Sequence, residues 1–182
     1  VGAVYSYPLH PVAEWTRQNR ISLPIDSPVT RVNRNPHTPK LLQMWTLLAS
    51  GDTRWLEIPQ FLFGLLVPLA VFALQRRIGV GRPMALRLSL LAYFTPSVLI
   101  ESRTCQDHLI LNGAILIALV FLLDVVFEPR RASLPFLGLA LGWILGSKIS
   151  GPHIVVILAA APVLSLGFSA RAAAGWGRRH LV

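Results

Sequence analysis

The stretch HLILNGAILIALVFLLDVVF, residues 108–127, holds twenty residues with a single acid and no Lys or Arg. A helix rising about 1.5 Å per residue crosses a hydrocarbon core of about 30 Å in about 20 such residues. Four other apolar runs flank it, at about 57–75, 84–100, 133–147 and 152–169. The fourth of the five, 133–147, is short for a crossing. Period-2 alternation, which a membrane barrel needs, is absent. The expected fold is therefore all-α: a multi-span transmembrane helix bundle of about five spans. Prolines at 68, 96 and 162 fall inside these runs, where neighbouring helices can satisfy the freed carbonyls.

Composition agrees with that class. The 182 residues are 53% hydrophobic and 14% charged, with a formal net charge of +9. Soluble domains carry about 25% charged residues. A nucleic-acid binder would gather its Lys and Arg on one face of a soluble fold, whereas here they sit in short clusters between apolar runs, so no nucleic-acid partner is expected and membrane lipids are. Cys105 is the single cysteine, which excludes an intrachain disulfide and a multi-thiolate zinc site.

Basic residues in short loops mark the cytoplasmic side. Arg76, Arg77 and Arg82 follow the first run, Arg130 and Arg131 the third, and Arg171, Arg178 and Arg179 the fifth. The alternate loops, ESRTCQDH and GSKISG, carry only Arg103 and Lys148 and so face outward. Three segments are expected: an outer loop over 1–55, a helical bundle over 56–170 and a basic cytoplasmic segment over 171–182. The outer loop contains two candidate interfacial helices. In HTPKLLQMWTLLASGD, Thr38 is the expected N-cap, Pro39 the first helical residue and Gly51 the stop. Leu41, Leu42, Trp45 and Leu48 form its apolar stripe. PVAEWTRQNRI is the second, with Val12, Trp15 and Thr16 on one side. The chain starts at Val1 without a signal peptide and is expected to be a piece of a longer protein, with a span upstream.

Asp107 is the main chemical candidate. An Asp at a helix start caps exposed amides and favours the positive dipole end. At an outer membrane face it could equally bind a metal or a sugar hydroxyl, or take a proton from an acceptor. His108, beside it, is an interfacial polar residue or a ligand. Lys148 either snorkels to headgroups or meets a phosphate between Gly146 and Gly151. Arg103 is a second phosphate candidate, and Glu101 a partner for it. Asp124 and Glu128 are expected to pair locally with Arg130 and Arg131. No GxGxxG, GxxxxGK[ST] or HExxH pattern occurs, so a nucleotide-cradling loop has no support.

The order "P…LLQMW", "FGLLVPLAVFALQRRIG", "TPSVLIESRTCQDHLILNGAILIALVFLL", "GLALGWILGSKISG" resembles the GT-C superfamily of integral-membrane glycosyltransferases. The nearest branch resembles the dolichyl-phosphate-mannose protein mannosyltransferases and aminoarabinose transferases, over about Tyr7 to Leu164. The resemblance implies sugar transfer from a polyprenyl-phosphate donor to an acceptor it does not identify, at the periplasmic face of a bacterial inner membrane. It implies an active-site carboxylate at Asp107, with a divalent ion (Mg or Mn) near it, and donor-phosphate binding by Lys148, with Arg103 assisting. Such proteins also carry an acid early in the first outer loop, ahead of a Tyr-His pair. Here Tyr7 is kept, the acidic position falls near Ala3, Pro8 replaces the His, and His10 lies close by. The rival reading is a non-catalytic multi-span protein, such as a transporter or flippase component or a degenerate relative. Further spans would be needed for turnover, so this piece is expected to be inactive alone.

Overall fold

The computed structural model describes residues 9–23, 36–127 and 132–160, and every regular element among them is helical. The helices are α1 (His10–Gln18), α2 (Thr38–Ser50), α3 (Ile58–Arg77), α4 (Arg82–Tyr93), α5 (Pro96–Glu101), α6 (His108–Phe127), α7 (Ser133–Ser147) and α8 (Gly151–Ala160), with a 3-10 turn at Thr53–Trp55. Tyr7, Asp26, Glu128, Arg130, Arg131, Pro162 and the basic segment 171–182 lie outside the described residues.

Proline sets the starts. α1 through α5 each carry one in the first turn, where its fixed φ suits the helix and its missing N–H is not needed. Left-handed residues set several stops: Asn19 (φ 51°) ends α1, Gly51 (φ 66°) ends α2, and Gly79 (φ 87°) turns the chain after α3. Gly51 thus stops α2 as expected. The N-cap is His37, and Thr38 is the first helical residue.

Among the described residues, two helices are long and apolar enough to cross a membrane: α3 with its leading turn, Thr53–Arg77, and α6, His108–Phe127. The second and fourth runs form shorter helices than the five-span expectation requires, and the fifth is described only as far as Ala160. The second run breaks into α4, of 12 residues, and α5, of 6. Pro96 causes the break: its ring drives Thr95 into an extended conformation (φ −60°, ψ 129°) and so disfavours helix there. Pro68, by contrast, is accommodated inside a continuous α3. The 15 residues of α7 reach only about 22 Å at the usual helical rise.

The chain nevertheless winds back and forth between two ends. α3 and α6 run parallel, because Gly64 approaches Leu109, Gly113 approaches Phe63, and Arg77 reaches Asp124. α4 and α5 return the chain between them, bringing Ser102 against Gly64. α7 starts where Ser133 meets Asp124 and finishes where Gly146 touches Thr38 of α2. The loop after α5, the turn after α7 and the start of α2 therefore share one end. Arg77, Asp124 and Ser133 occupy the other.

Two cores hold this arrangement. Leu9, Val12, Trp15, Met44 and Leu56 join α1 and α2, and Leu111, Ala114, Ala118, Ala140, Ile144 and Leu158 join α6, α7 and α8. Outward surfaces are strongly apolar: Leu62 and Leu69 of α3, Leu86 and Leu91 of α4, and Leu139 of α7 are each more than half exposed. Gln60, Ser89 and Asp124 are buried instead. In a water-soluble helical domain the apolar stripe faces inward. Scattered apolar side chains on a surface are ordinary, but faces this continuous mark contact with something apolar.

On α2 the apolar stripe and the buried face are different faces. Trp45 and Leu48 are exposed (66% and 60%), while Pro39, Lys40, Gln43 and Met44 are buried. The buried face is partly polar because it packs on polar backbone in the 102–107 turn.

Candidate functional site

The turn between α5 and α6 folds mainly through local hydrogen bonds. Ser102 N–H donates to Val98 O (2.9 Å), Thr104 N–H to Glu101 O (3.2 Å), and Gln106 N–H to Thr104 Oγ1 (3.3 Å). The Cys105 carbonyl points to α2 and accepts from Gln43 Nε2 (3.0 Å) and Lys40 Nζ (3.4 Å). Lys40 and Gln43 are three residues apart, so they share one face of α2, and both are buried.

Asp107 stands just before α6, and its carbonyl accepts from Leu111 N–H (3.0 Å). Its carboxylate does not cap the helix among the described residues; it forms an ion pair with Lys40. Gln60 of α3 supplies the acceptor for a helix-start amide, its Oε1 taking Ile110 N–H at 3.3 Å. The capping role expected of Asp107 is therefore performed by Gln60, because the ammonium of Lys40 engages the carboxylate more strongly than a neutral amide would. The Asp107 charge still lies at the positive end of the α6 dipole.

The chain contains two lysines among 17 Lys and Arg residues, and both come to this end. Lys148 follows α7 in extended conformation and is partly buried, which lowers its pKa. The nearby charges of Asp107 and Glu101 oppose that shift, and Lys40 reinforces it. Lys148 thus shares an electrostatic field with the pair while forming no ion pair of its own among the described residues. Glu101 pairs with His108 (Oε1 to Nδ1, 3.3 Å), not with Arg103 as expected. His37 also belongs to this end, edge-on to Trp15 at 5.5 Å between centroids. Burial pushes its pKa down, Lys40 adds to that, and Asp107 opposes it. Burial likewise raises the pKa of the Cys105 thiol, with Glu57 and Asp107 adding and Lys40 opposing.

Of the expected residues, Asp107, Lys148 and His108 thus meet at one end of the bundle. Arg103 is exposed, and its side chain makes no hydrogen bond or ion pair among the described residues, although its backbone N–H donates to Ile100 O (3.1 Å). His10 opens α1 on the flank, where its charge acts on Glu14; Glu14 itself is held by Arg17 (2.6 Å). Tyr7 is outside the described residues. Lys40, Gln43 and Gln60 were not foreseen as site residues. The scarcity of lysine was the one signal that could have pointed to Lys40.

At the other end Asp124 takes a two-pronged bond from Arg77, at 2.6 and 2.8 Å, and a contact from Ser133 at 3.5 Å. This pair ties α6 to α3, because parallel packing brings the last residue of α3 beside Asp124; the partners expected of Asp124, Arg130 and Arg131, lie outside the described residues.

Three buried polar atoms at the first end have no hydrogen-bond partner among the described residues: Gln43 Oε1, Gln60 Nε2 and Glu101 Oε2. Such atoms cost about 1–3 kcal/mol each, and a functional role is one of the reasons a fold retains them. No group of three His, Cys, Asp or Glu side chains that could hold a metal ion occurs among the described residues. Asp107, the expected ligand, is engaged by Lys40, so these residues do not by themselves fit a Mg or Mn ion.

Among the described residues, fold and site define an all-helical arrangement with two helices of membrane-crossing length and a cluster of two lysines and two carboxylates at one end. Comparison with protein-family models, with curated proteins and with solved structures returns no match.

Proposed function

We propose that this chain is part of an integral-membrane glycosyltransferase of the GT-C kind. It would take its sugar from a polyprenyl-phosphate donor at the periplasmic face of a bacterial inner membrane. The observation that carries the reading is the convergence of Asp107, Lys40 and Lys148 at one end of the bundle. The apolar outward faces of α3, α4 and α7 suit lipid as solvent, and the passage of the chain between two ends suits about five crossings, the kinked α4–α5 segment forming one.

In this reading Lys148, which has no ion-pair partner among the described residues, receives the donor phosphate. Sugar passes to the acceptor hydroxyl by displacement at the anomeric carbon, the C–O bond to phosphate breaking as the new glycosidic bond forms. The phosphate leaves with the bonding electrons, and the Lys148 ammonium stabilises the charge that develops on it. Asp107 takes the acceptor proton, which requires that its contact with Lys40 open. No step is routed through a metal ion.

A second reading has support from one feature. A buried Lys40–Asp107 pair is also what a purely structural clamp would contain, as in a non-catalytic membrane subunit. The transporter version lacks ionisable groups at mid-depth among the described residues, where it would need them: Arg77 ends α3 and Asp124 lies near the end of α6. The test is sugar transfer from a polyprenyl-phosphate donor in membranes containing the full-length enzyme of which this chain is proposed to be part, or its Lys148→Met variant. The variant removes a cation without orphaning a buried partner, and a loss of about 100-fold or more is expected if it holds the phosphate in the transition state. Transfer at the wild-type rate in the variant would remove the proposed site.

A further inference from the structure

Glycine inside a helix is destabilising relative to alanine, so a glycine kept there must gain something from its missing side chain. α7 carries three, spaced one turn apart. A Cβ added at Gly138 or Gly142 would meet nothing within 4 Å. A Cβ added at Gly146 would overlap Oγ1 of Thr38 and lie 3.2 Å from its Cβ. Rotating the Thr38 side chain between the two χ1 rotamers open to Thr in a helix moves Oγ1 but leaves Cβ where it is, closer than ordinary van der Waals contact. Alanine at 146 therefore pushes α2 and α7 apart.

Both sides of that contact carry the site. Thr38 is two residues before Lys40, whose ammonium holds Asp107, and Gly146 is two residues before Lys148. We infer that Gly146 is a positioning residue: its close approach to Thr38 sets the separation between Lys148 and the Lys40–Asp107 pair, and with it the geometry of the phosphate site. The phosphate part rests on the function proposed above; the positioning part does not.

The chain's two lysines make the test direct. Reductive methylation with ¹³C-formaldehyde gives two side-chain signals, and the one absent from Lys148→Met reports on Lys148. In the otherwise wild-type chain, Asp107→Asn or Glu101→Gln is expected to lower the Lys148 titration midpoint, because each removes a carboxylate that favours the ammonium. Two probes are used so that a poorly folding Asp107→Asn does not decide the matter. In a Gly146→Ala background the same replacements are expected to move the midpoint by less than half as much. Thr38→Leu, which wedges the contact from α2, should do likewise. Thr38→Gly/Gly146→Ala should restore the full effect, and Gly138→Ala and Gly142→Ala should leave it unchanged. An undiminished effect in Gly146→Ala, or no recovery of fold and coupling in the double variant, would overturn the inference. Farnesyl phosphate separates the two claims: it should shift the Lys148 signal, and bind at least about tenfold more weakly to Gly146→Ala. No shift in wild type, with the coupling contrast intact, refutes the phosphate site and leaves Gly146 as the spacer.

Discussion

Removing one member of the Lys40–Asp107 pair should be far more damaging than removing both. The side chains are 7% and 16% exposed, so water can replace little of what either loses. Lys40→Met leaves a carboxylate against the start of α6, and Asp107→Asn leaves an ammonium with the Cys105 carbonyl and a neutral amide. An orphaned buried charge costs about 3–5 kcal/mol, whereas replacing both partners by neutral groups is often close to neutral. Each single variant should therefore lose about 3–5 kcal/mol, and Lys40→Met/Asp107→Asn much less than the sum. Reversible unfolding in mixed micelles, followed by helical circular dichroism, provides the double-mutant cycle. Losses below about 1 kcal/mol that simply add would show a solvated surface pair and refute the reasoning.

Other consequences are as direct. His37 has a depressed pKa in the folded chain, so the unfolded state takes up its proton first. Stability should fall as pH drops below about 6.5 and level off below the folded value, and His37→Gln should flatten that slope in the same unfolding assay. In a Cys105→Ala background, cysteines placed at Gln106 and at Ile149 should react with an impermeant maleimide from the same membrane face, and one at Ile78 from the opposite face. Gly113→Ala should destabilise by about 1–3 kcal/mol, because its Cβ would meet Phe63 Cδ1 at 3.2 Å and Phe63 O at 3.4 Å; unfolding free energies check it.

Much of the architecture could be read from residue order. An uninterrupted apolar run makes α6 evident, and the alternation of arginine-rich loops places ESRTCQDH and GSKISG at a common end, where the structure also puts them. Counting apolar residues cannot show that Pro96 breaks a helix which Pro68 does not, since the outcome depends on how each freed carbonyl is surrounded. Lys40 was hidden for another reason. In TPKLLQMW the apolar letters mark an interfacial Leu/Trp stripe and say nothing of the opposite face, which is buried by what it packs on, and the partner Asp107 is 67 residues away. Pairings across such separations, like Arg77 with Asp124, leave no periodic trace in the chain.

The central claim is that Lys148, beside the Lys40–Asp107 pair, binds the phosphate of a polyprenyl donor. Equilibrium binding of a polyprenyl monophosphate to the detergent-solubilised chain tests it most directly, with the corresponding alcohol as control. The account predicts saturable binding that needs the phosphate and is lost, by about tenfold or more, in Lys148→Met. Equal affinity in wild type and Lys148→Met, or binding of the alcohol as tight as that of the phosphate, would contradict it.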